Sequence, residues 1–298
     1  MRVNKSKGVV SMLVSIIVPV YKGNQYIDGI IEMAENNQIK LQTLGIDGKI
    51  ELIFINDFPE IEIKSSKLSE SRTIEMCVYN NTRNEGIHKS RINGLKHSKG
   101  KYILFLDQDD LISDKCIASQ LQSIKEADIV IGNGYKATGD CKKLIYRNIK
   151  KQKLAASVKT YLYAANQIVS PGHCLILKTA IPQEWFSHIV KVNGGDDLFL
   201  WLLMFAYGKK VIINSELIYT HMDTGTNVSG STIAMINTAK NVITLSRKCE
   251  SIPSKWVDIY ERRIQLTESL VGRQRIKKLF AIIKNMDLCV YKLFAYCR

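Results

Sequence analysis

"YILFLDQDDLIS", residues 102 to 113, sets the frame for the whole chain. Its apolar run, Tyr102 to Leu106, has the character of a buried strand and delivers three carboxylates within four positions, Asp107, Asp109 and Asp110. Carboxylates crowded at a strand mouth repel one another unless a cation neutralises them. On an extended segment the D-x-D spacing sends the Asp107 and Asp109 side chains to one side. That suits one hard divalent ion that keeps waters and also takes phosphate oxygens, while Asp110 points elsewhere or caps the following turn. A plain acidic turn has the same composition, so the stretch has to be read with its neighbours.

"VSIIVPVY" (14 to 21) and "KIELIFIND" (49 to 57) read as further buried strands. Between them Tyr26, Ile27, Ile30, Ile31 and Ala34 recur at helical spacing behind Asn24, the expected N-cap. "NEGIHKSRINGLKHSKG" (84 to 100) carries a second helical pattern, and a third follows Ser113 with Ile117, Leu121 and Ile124 inward, before "DIVIGN" (128 to 133) returns as strand. The alternation predicts a parallel sheet covered by helices. Ligands bind such sheets beyond the carboxyl ends of the strands, so Asp57 and Asp107 are expected to face one crevice. From about residue 141 the alternation loosens into a mixed α/β half: "SPGHCLILKTAI" (170 to 181), a helix in "DDLFLWLLMFAYG" (196 to 208) and a strand in "KKVIINSELIYTH" (209 to 221). With no repeat and no low-complexity linker, the halves are expected to share one body.

Hydrophobic content of 46% and charged content of 23% are those of a globular chain, which excludes general disorder. The net charge of +14 is unevenly spread: residues 247 to 298 hold twelve Lys or Arg against five Asp or Glu, and "KKLIYRNIKKQK" (142 to 153) holds six basic residues and no acidic one. Such patches favour phosphates, anionic lipid or nucleic acid, or simply form a solvated face. Seven cysteines without a C-x-x-C pair speak against a disulfide framework or a cysteine zinc site and suit a reducing cytosol. The N-terminus is basic then apolar, but Pro19 and the lack of a small-x-small site favour a strand over a signal peptide. Met12 looks like an internal start, leaving 1 to 12 as an extension. No run is long and apolar enough to span a bilayer. At about 100° per residue, Leu279, Ile282, Ile283, Met286, Val290, Leu293, Phe294 and Cys297 share one face, with Lys277, Lys284, Lys292 and Arg298 opposite. This pattern predicts a basic amphipathic helix suited to a membrane interface, or to packing on its own domain or a partner chain.

Two more stretches carry chemistry. In "GGDDLFLWLLM" Asp196 and Asp197 open an apolar helix in the turn where the macrodipole favours negative charge; a carboxylate in an apolar pocket also suits a general base. In "NEGIHKSRING" Arg91 lies one helix behind the D-x-D strand, with a fork of donors suited to a diphosphate. Together "SIIVPVY" (15 to 21), "LIFIND" (52 to 57), "NEGIHKSRING" (84 to 94), "GKYILFLDQDD" (100 to 110) and "DDLFLW" (196 to 201) resemble, in order and spacing, the inverting family 2 glycosyltransferases of GT-A fold. The resemblance covers about residues 13 to 225.

It implies a GT-A α/β domain over 13–225, with a nucleotide-sugar half at 13–135 and an acceptor half at 136–225, followed by a helical region at 226–298. Pro19, Val20 and Tyr21 would meet the nucleotide, Asp57 its base (usually uracil), and Arg91 would lie near it. Asp107 would serve ribose and metal, and Asp109 would be the direct ligand of Mn2+ or Mg2+ on the diphosphate. Asp196 and Asp197 match the pair that yields the base, with Asp197 favoured, and His221 falls near a further metal or phosphate contact. His173 could line the acceptor site, though a structural role suits it better. The implied activity is metal-dependent transfer from a nucleotide-sugar, with UDP expected, to a glycan or lipid-linked oligosaccharide in bacterial surface polysaccharide synthesis. The setting would be the cytoplasm, with peripheral contact at the inner face of the membrane through 273–298, no nucleic acid partner, and a homo-oligomer left open.

Four positions depart from the family pattern: Phe58 and Pro59 replace the usual Gly-Ser after Asp57, Ile92 stands in place of Asn, and Leu203 in place of Arg. The rival readings are a nucleotidyltransferase, which should carry a glycine-rich phosphate loop where "VYKGNQYI" has one glycine, and a non-catalytic nucleotide or nucleic-acid binding protein.

Overall fold

A computed structural model of the protein describes residues 12–71, 73–192, 194–225, 231–271 and 275–297. Most of the expected N-terminal extension lies outside the described residues, as do Arg273 and Arg298. The chain runs β1 (Met12–Val20), α1 (Asn24–Thr43), β2 (Lys49–Asn56), α2 (Lys67–Glu70), β3 (Glu75–Asn80), α3 (Ile87–His97), β4 (Tyr102–Phe105), β5 (Leu111–Ile112), α4 (Cys116–Ile124) and β6 (Ile129–Thr138). It continues with β7 (Cys141–Leu144), α5 (Ile149–Lys153), α6 (Val158–Tyr163), β8 (Cys174–Leu177), α7 (Gln183–Ser187), α8 (Asp196–Ala206), β9 (Val211–Met222) and four C-terminal helices. These are α9 (Thr232–Ser246), α10 (Ser254–Val271), α11 (Arg275–Lys284) and α12 (Met286–Cys297).

The described strands form one sheet in the order β3-β2-β1-β4-β8-β6-β9-β5, with β7 attached to β6. β1 pairs in parallel with both β2 and β4, β2 with β3, and β6 with β9. β8 runs antiparallel between β4 and β6, so the sheet is mostly parallel with a reversed strand at its centre. The chain builds outward from β1 through β2 to β3 and then returns to the other side of β1 as β4. The strand order therefore reverses between β1 and β4, the place where open α/β sheets bind ligands.

Side-chain alternation assigns the two faces. Val14, Ile16, Val18 and Val20 of β1 join Leu52, Phe54 and Leu104 beneath Ile27, Ile30 and Ile31 of α1 and Ile117 of α4. Ile17, Ile53, Ile103 and Phe105 face the other way, against Ile92 and Leu95 of α3 and the core of α8, α9 and α10. Each such side chain contributes about 1.5–3 kcal/mol on burial. The C-terminal helices α9 and α10 belong to this second core.

Local details differ from the sequence reading. Asn24 is the first residue of α1 rather than its cap, and its amide donates instead to the Glu62 carbonyl at 3.0 Å. Ser113 does not cap α4 with its side chain; its carbonyl accepts from the Cys116 N–H at 2.9 Å. The D-x-D segment is a turn rather than extended chain, closed by the Asp110 N–H on the Asp107 carbonyl at 3.1 Å. The expected single C-terminal helix is two, broken at Asn285, whose Oδ1 accepts from Arg262 Nε at 3.2 Å while Arg262 Nη2 pairs with Asp287 at 2.7 Å.

The seam between β6 and β9 permits no side chain at Gly134, where a Cβ would stand 2.0 Å from the Tyr219 carbonyl oxygen. Gly134→Ala is expected to cost about 1–3 kcal/mol, read as a lower urea midpoint with an unchanged slope.

Candidate active site

The carboxyl ends of β1, β2 and β4 open into a cleft of about 810 Å3 lined by Pro19, Val20, Tyr21, Asp57, Arg91, Asp107, Asp109, Asp196, Asp197 and His221 among others. The ten site residues read from the sequence thus share one cavity. α3 can lie close over β1 because Gly94 has no side chain: a Cβ there would come within 2.3 Å of Ile17 Cγ2. That approach aims Arg91 toward the end of β4.

Arg91 is 3% exposed and uses both terminal nitrogens on carboxylates: Nη1 donates to Asp196 Oδ2 at 2.6 Å and Nη2 to Asp107 Oδ1. Burial alone would lower its pKa, but Asp196 and Asp107 more than reverse this and raise it, so it stays charged. Asp196 is 1% exposed, and its backbone carbonyl accepts from Trp185 Nε1 at 3.0 Å. Trp185 is itself fixed by its carbonyl, which takes His88 Nε2–H at 3.1 Å, while His88 Nδ1 accepts from the Val190 N–H at 2.9 Å. That pairing needs a neutral ring, and burial pushes the His88 pKa down to about 4.

Asp197, one residue on, has no such counter-ion. Burial, with the charge of Asp196 as the next contribution, pushes its carboxyl up to about 7; its Oδ1 accepts from the Leu198 N–H at 2.7 Å. Adjacent carboxylates on one helical turn thus have different partners, a guanidinium for Asp196 and a backbone N–H for Asp197. This is how neighbouring groups acquire different acid–base roles.

On the D-x-D turn, burial and then Asp110 and Asp107 raise the Asp109 carboxyl. Burial raises Asp107 as well, with Arg91 opposing, and its Oδ2 accepts from Ser170 Oγ at 3.3 Å. Asp110 is 1% exposed and is a tie rather than a ligand. It accepts from Tyr219 Oη, from His221 Nδ1 at 3.0 Å and from the Met222 N–H at 2.9 Å, fastening the turn to β9. Burial works against a charged His221, but the Asp110 hydrogen bond and the charges of Asp110 and Asp107 together outweigh it and the pKa rises. Among the described residues no group of three or more His, Cys, Asp and Glu gathers in metal-holding geometry. A divalent ion that also takes diphosphate oxygens and waters needs only one or two protein carboxylates; Asp109, raised by burial and by like charges at the cleft, and Asp107 fit that need.

At the nucleotide end Asp57 accepts from Asn81 Nδ2 at 2.7 Å and from the N–H groups of Glu85 and Gly86 at 2.8 and 2.9 Å, so it also braces the loop before α3. Phe58, at a position that departs from the family pattern, packs edge-on against Tyr21 at 5.3 Å between centroids. Gln108, the middle residue of D-x-D, clamps the Tyr21 backbone, accepting from its N–H at 2.9 Å and donating to its carbonyl at 3.2 Å. This contact needs Gly23, where a Cβ would lie 2.2 Å from Gln108 Oε1. His173 is buried, bonded through Nδ1 to the Gly132 carbonyl at 2.9 Å and lowered to about 4 by burial, a structural histidine. Gln108, Trp185, Lys136, Tyr260 and Arg263 were not among the residues singled out from the sequence. Only the position of Gln108 between two aspartates offered a signal.

The family model for glycosyl transferase family 2 matches residues 15–182. The chain belongs to that family. Among relatives, it is 34% identical over 113 residues to the minor teichoic acid biosynthesis protein GgaB of Bacillus subtilis, covering 38% of this chain and 12% of that one. It is 28% identical over 224 residues to the uncharacterized glycosyltransferase RP339 of Rickettsia prowazekii (71% and 66%). It is 29% identical over 130 residues to glycosyltransferase GlyG of Streptococcus pneumoniae (42% and 40%). The chain therefore spans less than two thirds of the length of each of these curated relatives. Crystal structures of S. aureus TarS 1–349 superpose with a TM-score of 0.60, covering 95% of this chain and 80% of that one at 13% identity. In complex with UDP-GlcNAc the TM-score is 0.61, covering 93% and 81% at 12% identity. At that identity the likeness shows the fold, which is GT-A.

Arg91→Met would leave Asp196 buried without its counter-charge. It is expected to lose about 3–5 kcal/mol of stability in chemical unfolding, with Arg91→Lys intermediate because a point charge cannot reproduce the fork.

Proposed function

We propose that this family 2 glycosyltransferase transfers a sugar from a UDP-sugar to a glycan hydroxyl with inversion, in the assembly of a surface polysaccharide. The observation that carries the reading is the separation of Asp196 and Asp197 within one cleft: the first neutralised by Arg91, the second raised to about 7 by burial and by Asp196. A hexosamine donor is supported by the UDP-GlcNAc complex of TarS, and a teichoic-acid-like polymer by the name of GgaB.

In this mechanism Pro19, Val20, Tyr21 and Asp57 hold the nucleotide at the ends of β1 and β2. A Mn2+ or Mg2+ ion bound by Asp109 and Asp107 would neutralise the leaving diphosphate. Asp197 takes the proton of the acceptor hydroxyl as its oxygen forms a bond to the anomeric carbon, the bond from that carbon to the diphosphate oxygen breaks, and its electron pair leaves with UDP. Asp196 does not compete as base, because its Oδ2 is held by Arg91 and its Oδ1 is buried.

The C-terminal helices support a site at a membrane surface. Phe280, Leu293 and Phe294 are 68%, 64% and 59% exposed, with Lys277, Lys278, Lys284 and Lys292 beside them. α12 docks on α6 through Tyr291 Oη and Thr160 Oγ1 at 2.9 Å, and on α5 through Lys151 Nζ to the Ala295 carbonyl at 3.0 Å. The basic run at 142 to 153 and the apolar helices therefore meet, the composition of an anionic lipid contact. Among the described residues no helix is long and apolar enough to cross a membrane.

With UDP-GlcNAc and a glycan acceptor, Asp197→Asn is expected to lower kcat by about 10²–10⁴-fold with donor KM little changed. Release of pyrophosphate from UTP and N-acetylglucosamine 1-phosphate, with no UDP released from UDP-GlcNAc, would mark a nucleotidyltransferase instead. The double variant Phe280→Glu/Phe294→Glu should lose co-sedimentation with phosphatidylglycerol vesicles while keeping transfer to a soluble acceptor; unchanged sedimentation would refute the membrane contact.

A further inference from the structure

Past Asp197 the cleft continues along a wall supplied by α9 and α10, outside the 15–182 stretch that matches the family. Met235, Ile236, Ala239 and Ile264 make that wall largely apolar. Arg263 is the exception. Its guanidinium lies 4.8 Å from the centre of the Tyr260 ring, and Nη1 reaches the Ala164 carbonyl only at 3.4 Å. Nε is buried with no hydrogen-bond partner. Among the described residues Arg263 makes no ion pair, whereas Arg91, Arg247 and Arg262 each pair with carboxylates.

A buried guanidinium nitrogen without an acceptor is unfavourable, and a guanidinium placed beside an aromatic ring with no carboxylate partner keeps its fork of N–H donors for an oxyanion. The ring that holds it is tied to the catalytic end: Tyr260 packs edge-on against Tyr161 at 5.5 Å, and Tyr161 Oη donates to the Leu198 carbonyl at 2.9 Å, one residue from Asp197. Arg91 cannot serve this purpose, because its charge is consumed by Asp107 and Asp196.

We propose that Arg263 is the anchor of an acceptor subsite for an oxyanion, a phosphate or carboxylate group carried by the acceptor near its reacting hydroxyl. The proposal rests on the glycosyl-transfer reading for the word acceptor, but the subsite itself can be tested apart from transfer. The Tyr260 ring and the apolar wall take the carbon skeleton, and the guanidinium takes the charge. Specificity for a charged acceptor then comes from α10, beyond the family-matched stretch.

The test titrates the full chain, saturated with UDP and Mg2+ so that the diphosphate site is filled, with sn-glycerol 3-phosphate, glucuronate, inorganic phosphate and glycerol. The Arg263 Nε–H signal, assigned by its absence in Arg263→Lys, is followed by 15N NMR. The subsite predicts a saturable shift with one or more of the anions and none with glycerol; which anion shifts it names the group. Affinity for that anion should fall by about tenfold or more in Arg263→Met, with UDP binding unchanged. An Arg263 signal that no anion moves in the UDP-loaded protein would overturn the proposal, as would an equal response to glycerol. Hydrolysis of UDP-GlcNAc by wild type and Arg263→Met is measured alongside. Its absence in both would count against the transfer reading and leave the NMR result on the subsite standing.

Discussion

The guanidinium of Arg91 stands between Asp107 at the end of β4 and Asp196 at the start of α8, joining the strand ends on one side of the cleft to the helix on the other. A buried carboxylate without a counter-charge costs several kcal/mol, so these elements can meet only where such a cation is supplied. Asp196 is paired in this way, whereas Asp197 beside it receives no equivalent partner. The ion pair is therefore a structural bolt and the contact that sets adjacent acids in different surroundings.

Backbone proximity puts Arg91 there. The strand order reverses between β1 and β4, so their carboxyl ends diverge into a crevice with α3 packed above it. Gly94 lets that helix approach Ile17, and Gly23 lets Gln108 hold the backbone of Tyr21. On the far side Asp110 ties the D-x-D turn to Tyr219, His221 and Met222 of β9. The carboxylates that face the cleft are thus carried on a turn fixed at both flanks.

Much of this was legible in the sequence because apolar periodicity and acidic strand ends are local signals. The strands at 14 to 21, 49 to 57 and 102 to 106 and the helix opening at Asp196 stand where that pattern implied, and the ten site residues, several of them read only from the family resemblance, line one cavity. β3 was missed: Glu75–Asn80 is a half-exposed edge strand without a continuous apolar run. The turn at Asp107 was read as extended because D-x-D spacing does not distinguish the two, and only pairing with Ile17 and closure by Asp110 decide it. Arg263 and Trp185 carried no signal, since what matters about Arg263 is a carboxylate partner it lacks among the described residues, and about Trp185 a partner 11 residues away. The C-terminal break at Asn285 follows from Arg262 in the preceding helix, a contact that periodicity does not encode.

The central claim is that Asp197 is poised to accept a proton near neutrality because burial, and then the charge of Asp196, raises its carboxyl while Arg91 is committed to Asp196 and Asp107. Carbon-13 NMR of the Asp197 carboxyl in the free enzyme tests it most directly. The account predicts a titration centred at about 7, with the carboxylate form, and hence the competent base, gained as pH rises through that value. A carboxyl that titrates entirely below about pH 5, in the ordinary range of an aspartate, would contradict it.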